Sequence, residues 1–103
     1  MSKEEQKYKQ GLVELGCMVC RRLYGITDSP VELHHLRTGG WGKGDYKTLI
    51  PLCPEHHRGK TGVHGKGTKG FDAFYPFTQH DLLEDTLFLM AKNLPGKDNS
   101  NVF

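Results

Sequence analysis

VELHHLR, residues 31–37, places two adjacent histidines inside an apolar run. Read as a β-strand, it sends neighbouring side chains to opposite faces. His34 and His35 therefore cannot easily share one structural job. One could bind a metal ion while the other stays free to take a proton. Downstream, TGGWGKGDY (residues 38–46) is glycine-rich, with Trp41 at its centre. KTLIPLC (47–53) reads as a second strand, which Pro51 demotes to an edge or a bulge. PEHHRGK (54–60) reads as a short helix or helical turn, with Pro54 suited to its first position. The order is strand, glycine-rich loop, strand, short helix. One His-His pair lies on the first strand and another on the helix.

Cysteines bracket this unit. Cys17-x2-Cys20 and Cys53-x2-His56 form two half-sites. Two residues between ligands let both side chains converge on one ion, and four such N/S ligands make a closed tetrahedral site suited to structural zinc. The intervening 32 residues exceed the commonest finger spacing, and a hairpin could fill them. The alternative is that the cysteines are small buried hydrophobes. That reading suits a lone cysteine better than CxxC followed by CxxH. With His56 in the zinc set, His34, His35, His57, His64 and His80 remain. One histidine of the first pair can face one of the second and leave open coordination positions on a second metal. Such a metal polarises a phosphoryl oxygen and stabilises a leaving oxygen. The other histidine of the first pair could deprotonate a water, since imidazole titrates near neutral pH. The competing reading is a set of hydrogen-bonded structural histidines.

The bulk numbers set the frame. A chain of 103 residues is enough for one domain. Its hydrophobic share of 36% is low, so a staple beyond the core is expected. A formal net charge of +2 does not argue for nucleic-acid binding by itself. The distribution says more: Arg58, Lys60, Lys66 and Lys69 fall in a stretch without acids, just after the histidine-rich part. The three cysteines are an odd number, which argues against a disulfide framework. The N-terminal MSKEEQKYKQ lacks a signal-peptide core, and no apolar run approaches the roughly 20 residues of a membrane span. These features lead us to expect a soluble, intracellular protein in a reducing compartment.

Residues 3–15 read as a helix burying Tyr8, Leu12 and Leu15, stopped at Gly16 and weakened by Gly11. CMVC (17–20) reads as a turn, YGITDSP (24–30) as a loop and TGVHGKGTKG (61–70) as another glycine-rich loop. FDAFY (71–75) is helical or packed on the core. TQHDLLEDTLFLMAKN (78–93) is the clearest helix, with Thr78 and Asp81 as a cap and Leu82, Leu83, Leu87 and Met90 as its apolar face. The expectation is one domain over residues 1–96, with a core at about 17–64, a C-terminal helix at about 78–93 and a disordered tail at 97–103. Arg58, Lys60, Lys66 and Lys69 can contact phosphates. Arg37, Lys43 and Lys47 lie in or beside the hairpin loop with Trp41, which either stacks or wedges at DNA or covers the loop.

CxxC, VELHHL and LIPLCPEHHRGK together resemble the HNH, or ββα-metal, nuclease superfamily. GVHGKG and the FxxFY–TQHDLL run narrow the likeness to phage Ref-type recombination nucleases, over about residues 17–90. The resemblance implies an α+β fold: a small zinc-stapled ββα-metal domain with flanking N- and C-terminal helices. It implies that His34 and His57 are ligands of a catalytic divalent ion, Mg²⁺ or Mn²⁺, and that His35 is the general base. Many relatives carry an Asn before the second strand that orients the base, and Thr48 stands near that point here. A third metal ligand often lies a turn after the second. Thr61 occupies that position, and His64 is the candidate to replace it from the following loop. His80 is assigned to capping or packing.

The activity so implied is metal-dependent hydrolysis of DNA phosphodiesters, by nicking or cleavage, in phage-type recombination. The implied setting is the cytoplasm of a phage-infected or prophage-carrying bacterial host. The implied partners are DNA and a recombinase filament or phage protein, and no membrane. Two rivals are a catalytically silent zinc module that binds nucleic acid or protein, and a zinc-dependent subunit of a phage packaging machine.

Overall fold

The computed structural model describes residues 3–36 and 46–93. Strand β1 (Glu32–His35) pairs antiparallel with β2 (Leu49–Leu52), with His34 opposite Ile50 and His35 opposite Leu49. A hairpin alone is marginal in water. This one is held because all of β2, Pro51 included, is buried against helices. Pro51 stands opposite Leu33, in a two-stranded sheet where each strand keeps an outer edge, the kind of position a strand proline needs. A short 3₁₀ turn (Tyr46–Thr48) leads into β2, and α3 (Pro54–Arg58) follows it directly, with Pro54 in its first turn.

The helices supply the rest of the core. In α1 (Lys3–Leu15), Tyr8, Leu12 and Leu15 are buried, as the 3.6-residue spacing predicts, and Gly11 does not interrupt the helix. In α5 (Gln79–Asn93), Leu82, Leu83 and Met90 are buried against α1 and β2. Its start is a reciprocal cap: the Thr78 N–H donates to Asp81 Oδ2 at 2.9 Å, and the Asp81 N–H donates to Thr78 Oγ1 at 3.2 Å. An Arg22–Asp85 ion pair at 2.7 Å ties α2 (Met18–Tyr24) to α5. The molecule is therefore α+β, a ββα unit wrapped by flanking helices, and its Cys/His cluster is placed to staple the unit.

Two segments differ from their sequence reading. CMVC is not a turn: Met18–Tyr24 is helical, with Cys17 as its N-cap and Gly25 as a left-handed C-cap. Burial of Met18 and Val19 supplies the tertiary support that the short apolar run did not advertise. TGVHGKGTKG is not a loop either. It forms most of α4 (Val63–Phe74), which breaks at Gly67, where φ is +77° and ψ is 165°. Burial of Val63 and Phe71 at its two ends outweighs the poor helix propensity of its glycines. Arg37, Trp41, Lys43 and the tail at 97–103 lie outside the described residues.

Candidate functional site

The first cluster joins the ends of two elements. Cys17 and Cys20 come from the start of α2, and Cys53 and His56 from the start of α3. Cys17 Sγ and Cys20 Sγ each lie 3.6 Å from His56 Nδ1, Cys53 Sγ lies 3.2 Å from it, and Cys20 and Cys53 sulfurs are 3.9 Å apart. A tetrahedral zinc with bonds of about 2.3 Å to sulfur and about 2.0 Å to nitrogen separates its ligand atoms by roughly 3.5–3.8 Å. The four donors fit one such ion. Burial raises the Cys17 thiol, and burial followed by repulsion from Cys17 pushes Cys20 up to about 12. Burial lowers His56. The imidazole is therefore neutral and ready to ligate, while both thiols give up protons as a metal binds.

The second cluster is the one that VELHHLR poses. Glu32 and His34 are two residues apart on β1 and share a face. That face meets His57 of α3, with the His34 and His57 ring centroids 5.3 Å apart. His64, at the start of α4, completes the group at 4.8 Å from His57 and 5.8 Å from His34. One nitrogen from each of the three rings lies within 4.8 Å of the others. His64 reaches this place from a helix rather than a loop, because α4 crosses close over the end of α3. A β-carbon at Gly65 would overlap the Gly59 carbonyl oxygen. Two contacts hold that crossing: the Thr61 hydroxyl donates to Glu55 Oε2 at 2.6 Å, and the Tyr75 hydroxyl donates to the Thr61 carbonyl at 2.7 Å. Thr61 is thus occupied in supporting the turn.

Neighbouring side chains hold the rings. His57 Nδ1 lies 2.8 Å from Glu32 Oε1. With the proton on Nδ1 donated to that carboxylate, the other ring nitrogen keeps its lone pair, the arrangement found behind many metal-bound histidines. Arg58, and after it His57, hold the Glu32 carboxyl below the usual carboxylate range. Arg58 grips Glu32 at 2.8 Å. His34 Nε2 lies 3.0 Å from Gln79 Oε1. Burial lowers the His34 imidazole, and the bond to Gln79 opposes this with a smaller effect. His34 is therefore neutral at pH 7. Gln79 is only 2% exposed, and its Nε2 has no hydrogen-bond partner among the described residues. Such an unmatched buried donor costs roughly 1–3 kcal/mol. Sequence reading named neither Glu32 nor Gln79. The even spacing of Glu32 from His34 on a strand was the available signal for the first; for the second there was none.

His35 sits at the end of β1, exposed, with its Nδ1 3.4 Å from the hydroxyl of buried Thr48. His34, His35, His57, His64 and Gln79 line one cleft of about 410 Å³. Gly67 and Thr68 form its α4 wall, between Lys66 and Lys69. Lys66 lies 3.8 Å over the Phe74 ring, while Lys60 and Lys69 are exposed. Of the predicted phosphate contacts, Arg58 is engaged with Glu32. Lys47 is exposed beside Thr48. His80 is exposed on the first turn of α5, away from the lining of the cleft.

Among the described residues, no helix is long and apolar enough to cross a membrane. A family model described as recombination enhancement, RecA-dependent nuclease matches residues 2–90. No curated protein matches the chain.

Proposed function

The chain belongs to the family of recombination-enhancement, RecA-dependent nucleases, and on that footing we propose that it is a metal-dependent endonuclease of the HNH, or ββα-metal, type. The observation that carries this reading is the three-imidazole cluster of His34, His57 and His64, open to a cleft that His35 also lines. The three rings would hold one divalent ion, Mg²⁺ or Mn²⁺, which when bound would polarise a phosphate oxygen and stabilise the leaving oxygen. Glu32 fixes the His57 ring for this task. His35 takes the proton from the attacking water, using the nitrogen that does not face Thr48. The Thr48 hydroxyl, accepting from Nδ1, orients that ring in place of the asparagine common in HNH enzymes.

The other site is structural. Cys17, Cys20, Cys53 and His56 hold zinc, which locks α2 to α3 and supplies folding free energy that a core of this size lacks. Lys60, Lys66 and Lys69 contact the DNA backbone, joined by Arg37, Trp41 and Lys43 from the sequence between β1 and β2. Residues 1–96 act as a single nuclease domain. So small a body has little surface for reading base sequence, so targeting comes from a RecA filament on the DNA.

The test is a nicking assay with zinc-loaded protein on duplex and single-stranded DNA, with and without RecA filaments. Metal-dependent cutting, blocked by EDTA and stimulated by RecA, is the expected result. A folded, zinc-loaded protein that binds DNA and cuts none of these substrates would instead be a silent binding module.

A further inference from the structure

We infer that Gln79 is a positioning residue for the catalytic metal site, acting through the tautomer of His34. The inference rests on the proposed reading of His34, His57 and His64 as metal ligands. Gln79 Oε1 faces His34 Nε2 at 3.0 Å. A carbonyl oxygen only accepts, so this contact keeps the ring proton on Nε2 and leaves the lone pair on Nδ1, the nitrogen that the inference assigns to the metal. A ring with one nitrogen pinned by an acceptor is what a metal-bound histidine requires. Were the amide turned over, its N–H would donate to Nε2 and drive the ring proton onto Nδ1, removing the donor.

Three features tie Gln79 to this role. Its backbone N–H donates to Asp72 Oδ1 of α4 at 2.9 Å. The Thr78–Asp81 cap fixes the chain on either side. Its own Nε2 is buried without a partner among the described residues. Hydrogen bonding of the whole amide thus does not account for a glutamine here, and an apolar side chain of the same size would leave no orphan. The contact that the glutamine alone provides is the one from its carbonyl to His34. Asp72, Gln79 and His34 form a relay from the helix that carries His64 to the strand that carries His34.

The experiment uses the zinc-loaded full chain and titrates Mn²⁺ into wild type, Gln79→Met and Gln79→Glu by calorimetry, with zinc content as the folding control. Methionine keeps the shape and loses the acceptor; glutamate keeps an acceptor. The expected result is Mn²⁺ affinity about 10- to 100-fold weaker in Gln79→Met, restored in Gln79→Glu. Ring ¹⁵N NMR of His34 without Mn²⁺ should show the Nε2–H form in wild type and a mixture in Gln79→Met. Unchanged Mn²⁺ affinity and an unchanged His34 tautomer in Gln79→Met would overturn the inference. So would a Gln79→Met protein that loses its zinc, since Gln79 would then be a folding residue. If wild type itself binds no Mn²⁺, the metal-site reading fails, and the inference falls with it.

Discussion

At the scale of single residues, the proposed division of labour rests on what each of two neighbouring histidines touches. His34 and His35 follow one another on a strand and meet different partners, Gln79 and two imidazoles for the first and Thr48 for the second, while both line the same cleft. Strand alternation made different partners for the two rings legible in the sequence, but not that both would line one cleft. The identity of the partners was not legible either. Glu32 meets His57 across 25 positions and His34 meets Gln79 across 45, and no local pattern encodes such pairings. The proposed role of Glu32 carries a prediction. In Glu32→Ala the His57 ring loses its anchor, and Mn²⁺ affinity of the zinc-loaded protein should fall about tenfold or more, measured by calorimetry, with zinc content unchanged. Equal affinity would show that the ring orients itself.

At the scale of elements, the strands, α1, α3 and α5 follow from spacing, a proline at a helix start and a cap pair. α2 and α4 do not. Short helices and glycine-bearing helices are made by tertiary burial, here of Met18, Val19, Val63 and Phe71, which sequence periodicity registers weakly. α4 matters most, because its close crossing over α3 delivers His64. Gly65→Ala forces a methyl against the Gly59 carbonyl and should displace α4. The expected outcome is weakened Mn²⁺ binding with the zinc site intact, since all four zinc donors precede the crossing. At the other end of the fold, Thr78→Ala removes the α5 cap. It should cost about 1 kcal/mol in denaturant unfolding of the zinc-loaded protein. A loss well below that would mean that Asp81 alone suffices.

At the scale of the whole molecule, the core is small and the two clusters share its hairpin and α3. Phe71, fully buried, joins α4 to that core. Phe71→Ala should cost about 3–5 kcal/mol, read from urea unfolding. Removing the Cys17–Cys20–Cys53–His56 metal with a strong chelator should collapse the helical circular dichroism signal and abolish cleavage together, because α2 and α3 are joined there. A fold that survives chelation would make the staple dispensable. The convergence of Cys17, Cys20, Cys53 and His56 was legible from spacing; the packing of the described helices around the hairpin was not, because it depends on which apolar faces meet.

The central claim is that metal binding and proton transfer are divided between His34 and His35. The most direct measurement compares Mn²⁺ binding and DNA cleavage in zinc-loaded His34→Ala and His35→Ala. The account predicts that His35→Ala binds Mn²⁺ like wild type and loses cleavage, while His34→Ala loses both. A His35→Ala protein that still cuts DNA at the wild-type rate, or a His34→Ala protein that still binds Mn²⁺ as tightly, would contradict it.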